Sequence, residues 1–172
     1  GLQHIKIQDN EISLDVGCGG GANVKKLLEK SPKGKVVGID YSGVSVKKSI
    51  KINKSAIKRK RCEILQGNVQ ELPFANATFG LVTAFETIYF WADMDQSFRQ
   101  IYRVIKKGGI FMICNESNGE NDNDQKWTEI IKGMKIYTSE EIKDSLEKAG
   151  FTQIETDKTK KGWLCVVAQK QE

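Results

Sequence analysis

Residues 12–22 read Ile12-Ser13-Leu14-Asp15-Val16-Gly17-Cys18-Gly19-Gly20-Gly21-Ala22. This is a short apolar run with a carboxylate near its end, followed by glycines at the alternate positions 17, 19 and 21. A strand that breaks into such a turn and then enters a helix leaves bare backbone at the carboxyl edge of a sheet, where a nucleoside can lie close. The stretch is a candidate cofactor site.

Downstream, Val24, Leu27 and Leu28 recur at helical spacing until Pro32 and Gly34 stop the run. Lys35 to Asp40, KVVGID, is a continuous apolar run ending in an acid, as expected of a buried parallel strand. Ser42 can cap a helix that follows, and 62–66 reads as a third strand. Residues 67–78 form a polar loop, and 79–85 a fourth strand. Phe98, Ile101, Tyr102 and Ile105 predict a helix over 97–105, ended by Lys106, Lys107, Gly108 and Gly109, with a fifth strand at 110–114. Strand and helix alternate throughout, which predicts an open α/β sheet with right-handed crossovers.

The remaining third changes character. A polar stretch at 116–125 precedes Trp127, Ile130, Ile131 and Met134, whose spacing predicts a short amphipathic helix, either a lid over a substrate or a packed surface helix. Thr138 and Glu141 make a capping box, Ile142, Leu146 and Ala149 give that helix its apolar face, and Gly150 ends it. Residues 151–155 and 163–168, joined through Lys160, Lys161 and Gly162, predict a closing β-hairpin.

A chain of 172 residues, 39% hydrophobic and 28% charged, suits a single domain spanning 1–172. No apolar run approaches the roughly eighteen residues that span a bilayer and no secretory signal opens the chain, so a cytoplasmic location is expected. Cys18, Cys62, Cys114 and Cys165 stand apart with no CxxC or histidine partner, which predicts buried, reduced thiols and no metal site. The net charge of +5 is concentrated at Lys47, Lys48, Lys51, Lys54, Lys58, Arg59, Lys60 and Arg61. On a helix these lie opposite Val46, Ile50 and Ile57, which predicts a solvated outer face. No aromatic residue is interleaved to stack a base, so nucleic-acid binding is not indicated.

Gly17, Gly19 and Ala22 also satisfy a dinucleotide fingerprint, so an NAD-type site competes with one for S-adenosylmethionine. Asp15 weighs between them. A pyrophosphate at this turn would meet a carboxylate, and like charges at about 4 Å repel by several kcal/mol where solvent is partly excluded. The ammonium of S-adenosylmethionine would be attracted instead. Asp40, at the tip of the next strand, is placed to accept from a ribose diol. Tyr41 can lie against an adenine, and Asn68 can offer its amide to the adenine edge.

LDVGCGGG, VVGIDYS, GNVQELPFANATF, AFETIYFWAD and IYRVIKKGGIFMICNE together resemble the successive motifs of class I S-adenosylmethionine-dependent methyltransferases, of the small-molecule (methyltransferase type 11-like) subgroup. The resemblance runs from about Ile12 to Glu116 and implies a Rossmann-like seven-stranded sheet with helices on both faces and the last strand antiparallel. It also implies that Asp15 and the backbone around Gly17, Cys18 and Gly19 face the methionine portion, Asp40 the ribose, Tyr41, Asn68 and Val69 the adenine, and Phe85 the sulfonium. The chain departs from the family at Phe79-Gly80, at Lys106-Lys107 and at Ala92, where loop stiffness rather than the cofactor groups is affected. Members of the family carry N-terminal helices over the substrate. The residues before Ile12 are too few to supply them, so a missing helical lid is expected.

A sulfonium is an activated methyl donor, so transfer needs mainly alignment of the acceptor and exclusion of water. Glu86 and Tyr89, just beyond the fourth strand, are the candidate acceptor-side residues, and Trp91 is either core or substrate wall. His4 lies in an irregular opening segment and is expected to be inert. The sequence therefore predicts methyl transfer to a small molecule, with a non-catalytic S-adenosylmethionine- or S-adenosylhomocysteine-binding relative and an RNA methyltransferase as alternatives.

Overall fold

The computed structural model describes residues 1–171. In chain order the elements are β1 (Ile12–Val16), α1 (Ala22–Lys30), β2 (Lys35–Asp40), α2 (Gly43–Ile52), α3 (Lys54–Lys58), β3 (Cys62–Gln66), β4 (Phe79–Phe85), α4 (Met94–Val104), β5 (Ile105–Asn115), α5 (Asp122–Ile130), α6 (Ser139–Ala149), β6 (Thr152–Lys158) and β7 (Leu164–Gln169). The strands form one seven-stranded sheet in the order β3-β2-β1-β4-β5-β7-β6. β1 to β5 pair in parallel, while β7 runs antiparallel to both β5 and β6. The Rossmann-like sheet with a reversed final strand is thus present. Its order reverses between β1 and β4, and the strand ends at such a switch point form a crevice.

Alternation along the strands divides the core into two layers. Leu14, Val16, Val82, Ala84, Phe111 and Ile113 meet Phe98, Ile101 and Val104 of α4 and Ile142 and Leu146 of α6. Each such side chain contributes roughly 1.5–3 kcal/mol on burial. On the other face Val36, Ile64 and Leu81 meet Val24, Leu27 and Leu28 of α1. Because Leu14 and Val16 fill the first layer, Asp15 points to the second, where its strand partner is Thr83.

The capping box at Thr138 and Glu141 forms, and Gly150 closes α6 at φ +107°. Elsewhere the boundaries move for identifiable reasons. α4 begins three residues before the predicted Ser97, because the Asp93 carboxylate accepts from the Gln96 amide and caps it there. Ile105 is extended and pairs with Phe79, so β5 starts at once and absorbs the predicted helix end Lys106-Gly109 through an irregularity in its pairing. The basic segment is two helices, not one. The break falls at Asn53, whose buried amide donates to the carbonyls of Gly21 and Ser49. Ser49 and Asn53 therefore face inward, and Ile50, expected inside, is exposed. Arg61 does not belong to the solvated face. Its guanidinium donates to the carbonyls of Leu28, Ser31 and Gly34 and closes the end of α1.

α5 is also rotated relative to its apolar pattern. Trp127 and Ile130 are 49% and 72% exposed, while the buried residue is Asp124. Its carboxylate accepts from the amides of Asn118 and Gly119, two hydrogen bonds to a charged group that offset leaving Trp127 and Ile130 in solvent. Among the described residues no helix is long and apolar enough to cross a membrane.

Candidate active site at the strand ends

The turn after β1 opens on backbone hydrogen bonds. The amides of Gly17 and Cys18 both donate to the carbonyl of Ile39, at 2.8 and 3.1 Å, which ties the turn to β2. Gly17 has φ +68°, and a Cβ there would lie 1.9 Å from the Thr87 hydroxyl, so no other residue fits. Cys18 turns its side chain away from the crevice, into the layer beneath α1, where burial pushes its thiol up to about 12. Only the backbone of Cys18 is part of the turn.

The two acids predicted from the sequence differ in environment. Asp15 is 1% exposed, and one of its oxygens accepts from the Thr83 hydroxyl at 2.7 Å. Burial pushes its carboxyl up to about 7; the Thr83 bond opposes this and the nearby Asp40 adds to it. Asp40 accepts from the amides of Gly19 at 2.8 Å and Ser42 at 2.9 Å, so it clamps the glycine turn to the start of α2. A carboxylate has about four acceptor positions, and these bonds leave two for a ligand.

A cavity of about 240 Å³ opens beside this clamp, lined by Gly17, Asp40, Tyr41, Asn68, Val69 and Trp91 among others. The structure thus brings together residues from the ends of β1, β2 and β3 that lie far apart in sequence. Tyr41 is 75% exposed and is not a packing residue. Asn68 accepts from the Gln70 amide through its carbonyl oxygen, which leaves its amino group as the free end. Trp91 packs edge-on against Phe98 and also faces the cavity, so it is both core and wall.

A second cavity, of about 700 Å³, lies beyond β4 and is lined by residues including His4, Phe85, Glu86, Cys114, Trp163 and Cys165. Phe85 sits in this wall rather than in the first cavity. Glu86 has φ +54°, a left-handed conformation that costs a non-glycine residue about 1–3 kcal/mol. Its amide donates to the Cys114 carbonyl, and its carboxylate accepts from the Glu116 amide at 2.5 Å and the Tyr89 hydroxyl at 3.0 Å. Although the residue reaches solvent, partial burial of the carboxylate pushes it up to about 6, against the lowering effect of those two donors.

Tyr89 is buried and its hydroxyl is already engaged, since it donates to Glu86 and accepts from the Ser117 amide at 3.0 Å. It therefore holds Glu86 and the loop after β5 in register. His4 is not isolated either: its ring lies 3.6 Å from the Asp157 carboxylate. Thr83 and Ser117 support Asp15 and Tyr89, and Thr87 is the close neighbour that keeps position 17 a glycine; none of the three is apparent in the sequence. Nothing in the local sequence marks them, because each acts across the sheet. No group of three or more His, Cys, Asp or Glu placed to hold a metal ion is present among the described residues.

The sequence matches the methyltransferase-domain family over residues 7–169. Malonyl-[acyl-carrier protein] O-methyltransferase of Legionella pneumophila is 32% identical over 112 residues, covering 65% of this chain and 38% of that protein. A SAM-dependent methyltransferase from Aquifex aeolicus superposes with a TM-score of 0.79 at 22% identity, covering 96% of this chain and 85% of the other. Phosphoethanolamine N-methyltransferase 2 of Haemonchus contortus, solved with S-adenosyl-L-methionine, superposes with a TM-score of 0.83 at 16% identity, over 96% of this chain and 50% of the other. At these identities the two superpositions show the fold. The chain spans 38% to 71% of the length of eight curated relatives, and half or less of seven of those eight. With a domain match over nearly its full length and the matching sheet, the chain belongs to the class I S-adenosylmethionine-dependent methyltransferases.

Proposed function

We propose that this domain transfers the methyl group of S-adenosylmethionine to a small-molecule acceptor seated in the cavity beyond β4. The observation that carries the reading is the Asp40 clamp, which joins the glycine turn to the end of β2 and still leaves acceptor capacity toward a cavity bounded by Tyr41 and Asn68.

The residues fit the donor. The Gly17 backbone approaches without a side chain, Asp40 accepts from the ribose hydroxyls, and Tyr41, Asn68 and Val69 bound the adenine; Asp15 lines neither cavity and is 1% exposed, so it acts on the ammonium end as a charge beneath the turn. When bound, S-adenosylmethionine supplies a methyl group on a sulfonium leaving group. Phe85 and Glu86 lie on the acceptor side. Glu86, ionised above about pH 6, accepts the proton that an oxygen or nitrogen acceptor loses as it is methylated. Tyr89 keeps that carboxylate aimed by donating to it.

The relatives named above act, by name, on a carrier-bound malonyl group and on phosphoethanolamine, so the acceptor is proposed only as a small molecule. The test is transfer of labelled methyl from S-adenosylmethionine to fractions of a metabolite extract. Label in a low-molecular-mass fraction, lost in Asp40→Ala and rising with pH through about 6 in a Glu86-dependent way, is expected. Binding of S-adenosylhomocysteine with no transfer to any fraction would support a binding protein instead. Label only in an RNA fraction, lost when Lys47, Lys51 and Lys54 become Glu, would support an RNA methyltransferase.

A further inference from the structure

Two of the cysteines that stand alone in the sequence meet in the fold. Cys114 of β5 and Cys165 of β7 are direct cross-strand partners in the antiparallel pair, and their sulfurs lie 3.0 Å apart. Directly opposed residues in such a pair have Cα separations of about 4.5–5.5 Å, inside the range of about 4.4–6.8 Å that a disulfide accepts. The pair is reachable: Cys114 is half-buried, and both residues line the larger cavity beside Glu86 and Trp163.

We infer that Cys114 and Cys165 form a redox-reactive dithiol, a modification site in the wall of the larger cavity that a small hydroperoxide converts into a cross-strand disulfide. One thiol donates to the other sulfur, and that bond stabilises a thiolate on the accepting partner. The accepting sulfur attacks the peroxide, an S–O bond forms, the O–O bond breaks and the departing oxygen leaves as an alcohol or water, taking up that cysteine's thiol proton. The second sulfur then attacks the sulfenic acid. An S–S bond forms, the S–O bond breaks, and the leaving hydroxide takes the second thiol's proton as water. Two electrons pass from the thiols to the peroxide. The other two cysteines lack these conditions. Neither Cys18 nor Cys62 lines the larger cavity, and burial pushes their thiols up to about 12 and about 11.

The inference does not depend on methyl transfer, because it is read from mass rather than turnover. The native chain is treated with one equivalent of hydrogen peroxide, its free thiols are alkylated, and the digest is analysed by mass spectrometry. The expected result is a fall from four alkylated cysteines to two, a cross-link joining the peptides of β5 and β7, and full reversal by dithiothreitol. In Cys114→Ser or Cys165→Ser, a sulfenic acid trapped by dimedone at the remaining cysteine of the pair is expected in its place. Four alkylated cysteines, under conditions that oxidise a control vicinal dithiol, would overturn the inference. So would preferential oxidation of Cys18 or Cys62, or oxidation of Cys114 and Cys165 with no cross-link.

Discussion

The two cavities at the strand ends are built by different means. The smaller one, at β1 to β3, is framed by backbone amides, those of Gly17 and Cys18 on the Ile39 carbonyl and those of Gly19 and Ser42 on the single carboxylate of Asp40. The larger one, at β4, β5 and β7, is framed by side chains, with Glu86 held in a strained conformation by Tyr89 and the Glu116 amide, and with Trp163 half exposed at its edge. A backbone frame tolerates few substitutions, whereas a side-chain wall can be rebuilt without moving the sheet. On the proposed reading, the contrast lets one fold keep a single donor while its acceptors differ.

Gly17→Val should break the donor side most strongly. A β-branched residue at φ +68° pressed onto Thr87 combines left-handed strain and overpacking, together about 2–5 kcal/mol. A large fall in melting temperature and loss of S-adenosylhomocysteine binding are expected; an unaltered melting curve would show that the turn is not rigid. Asp40→Ala is expected to weaken the same binding by about 1.5–3 kcal/mol, as for hydrogen bonds to a charged group. An unchanged dissociation constant by calorimetry would remove Asp40 from the ribose.

Tyr89→Phe sharpens the comparison from the other side. Losing the hydroxyl between Glu86 and Ser117 should cost about 1–3 kcal/mol of stability while leaving S-adenosylhomocysteine affinity unaltered. If affinity fell as far as in Asp40→Ala, the two cavities would not be separable.

The last prediction concerns pH. Between its ordinary value of 3.8 and about 7 the folded chain holds a proton on Asp15 that the unfolded chain has lost, so ligand-free stability falls as pH rises through that window. An ammonium beside Asp15 favours the ionised form, so the melting-temperature gain from S-adenosylhomocysteine should grow over the same window. A gain independent of pH would place the ammonium elsewhere.

Much of the frame of the smaller cavity was legible in the sequence because its signals are local. The turn at Gly17 and the acid ending KVVGID each depend on neighbours within a few residues, as does the capping box of α6 at Thr138. The larger cavity was legible only in outline. Glu86 and Tyr89 could be singled out, but not their bond to each other or to the loop after β5. The Cys114–Cys165 pair spans 51 residues and exists only once β7 is placed beside β5. Apolar spacing also misled where a polar anchor competes with it, as at α5, whose rotation follows the Asp124 carboxylate rather than Trp127 and Ile130.

The central claim is that the turn opened by Gly17 and the clamp at Asp40 hold S-adenosylmethionine rather than a dinucleotide. Calorimetric titration of the native chain with S-adenosylhomocysteine and, separately, with NAD tests it directly. Saturable binding of S-adenosylhomocysteine at one site, with no heat from NAD, is predicted. Saturable NAD binding with no S-adenosylhomocysteine binding would contradict it.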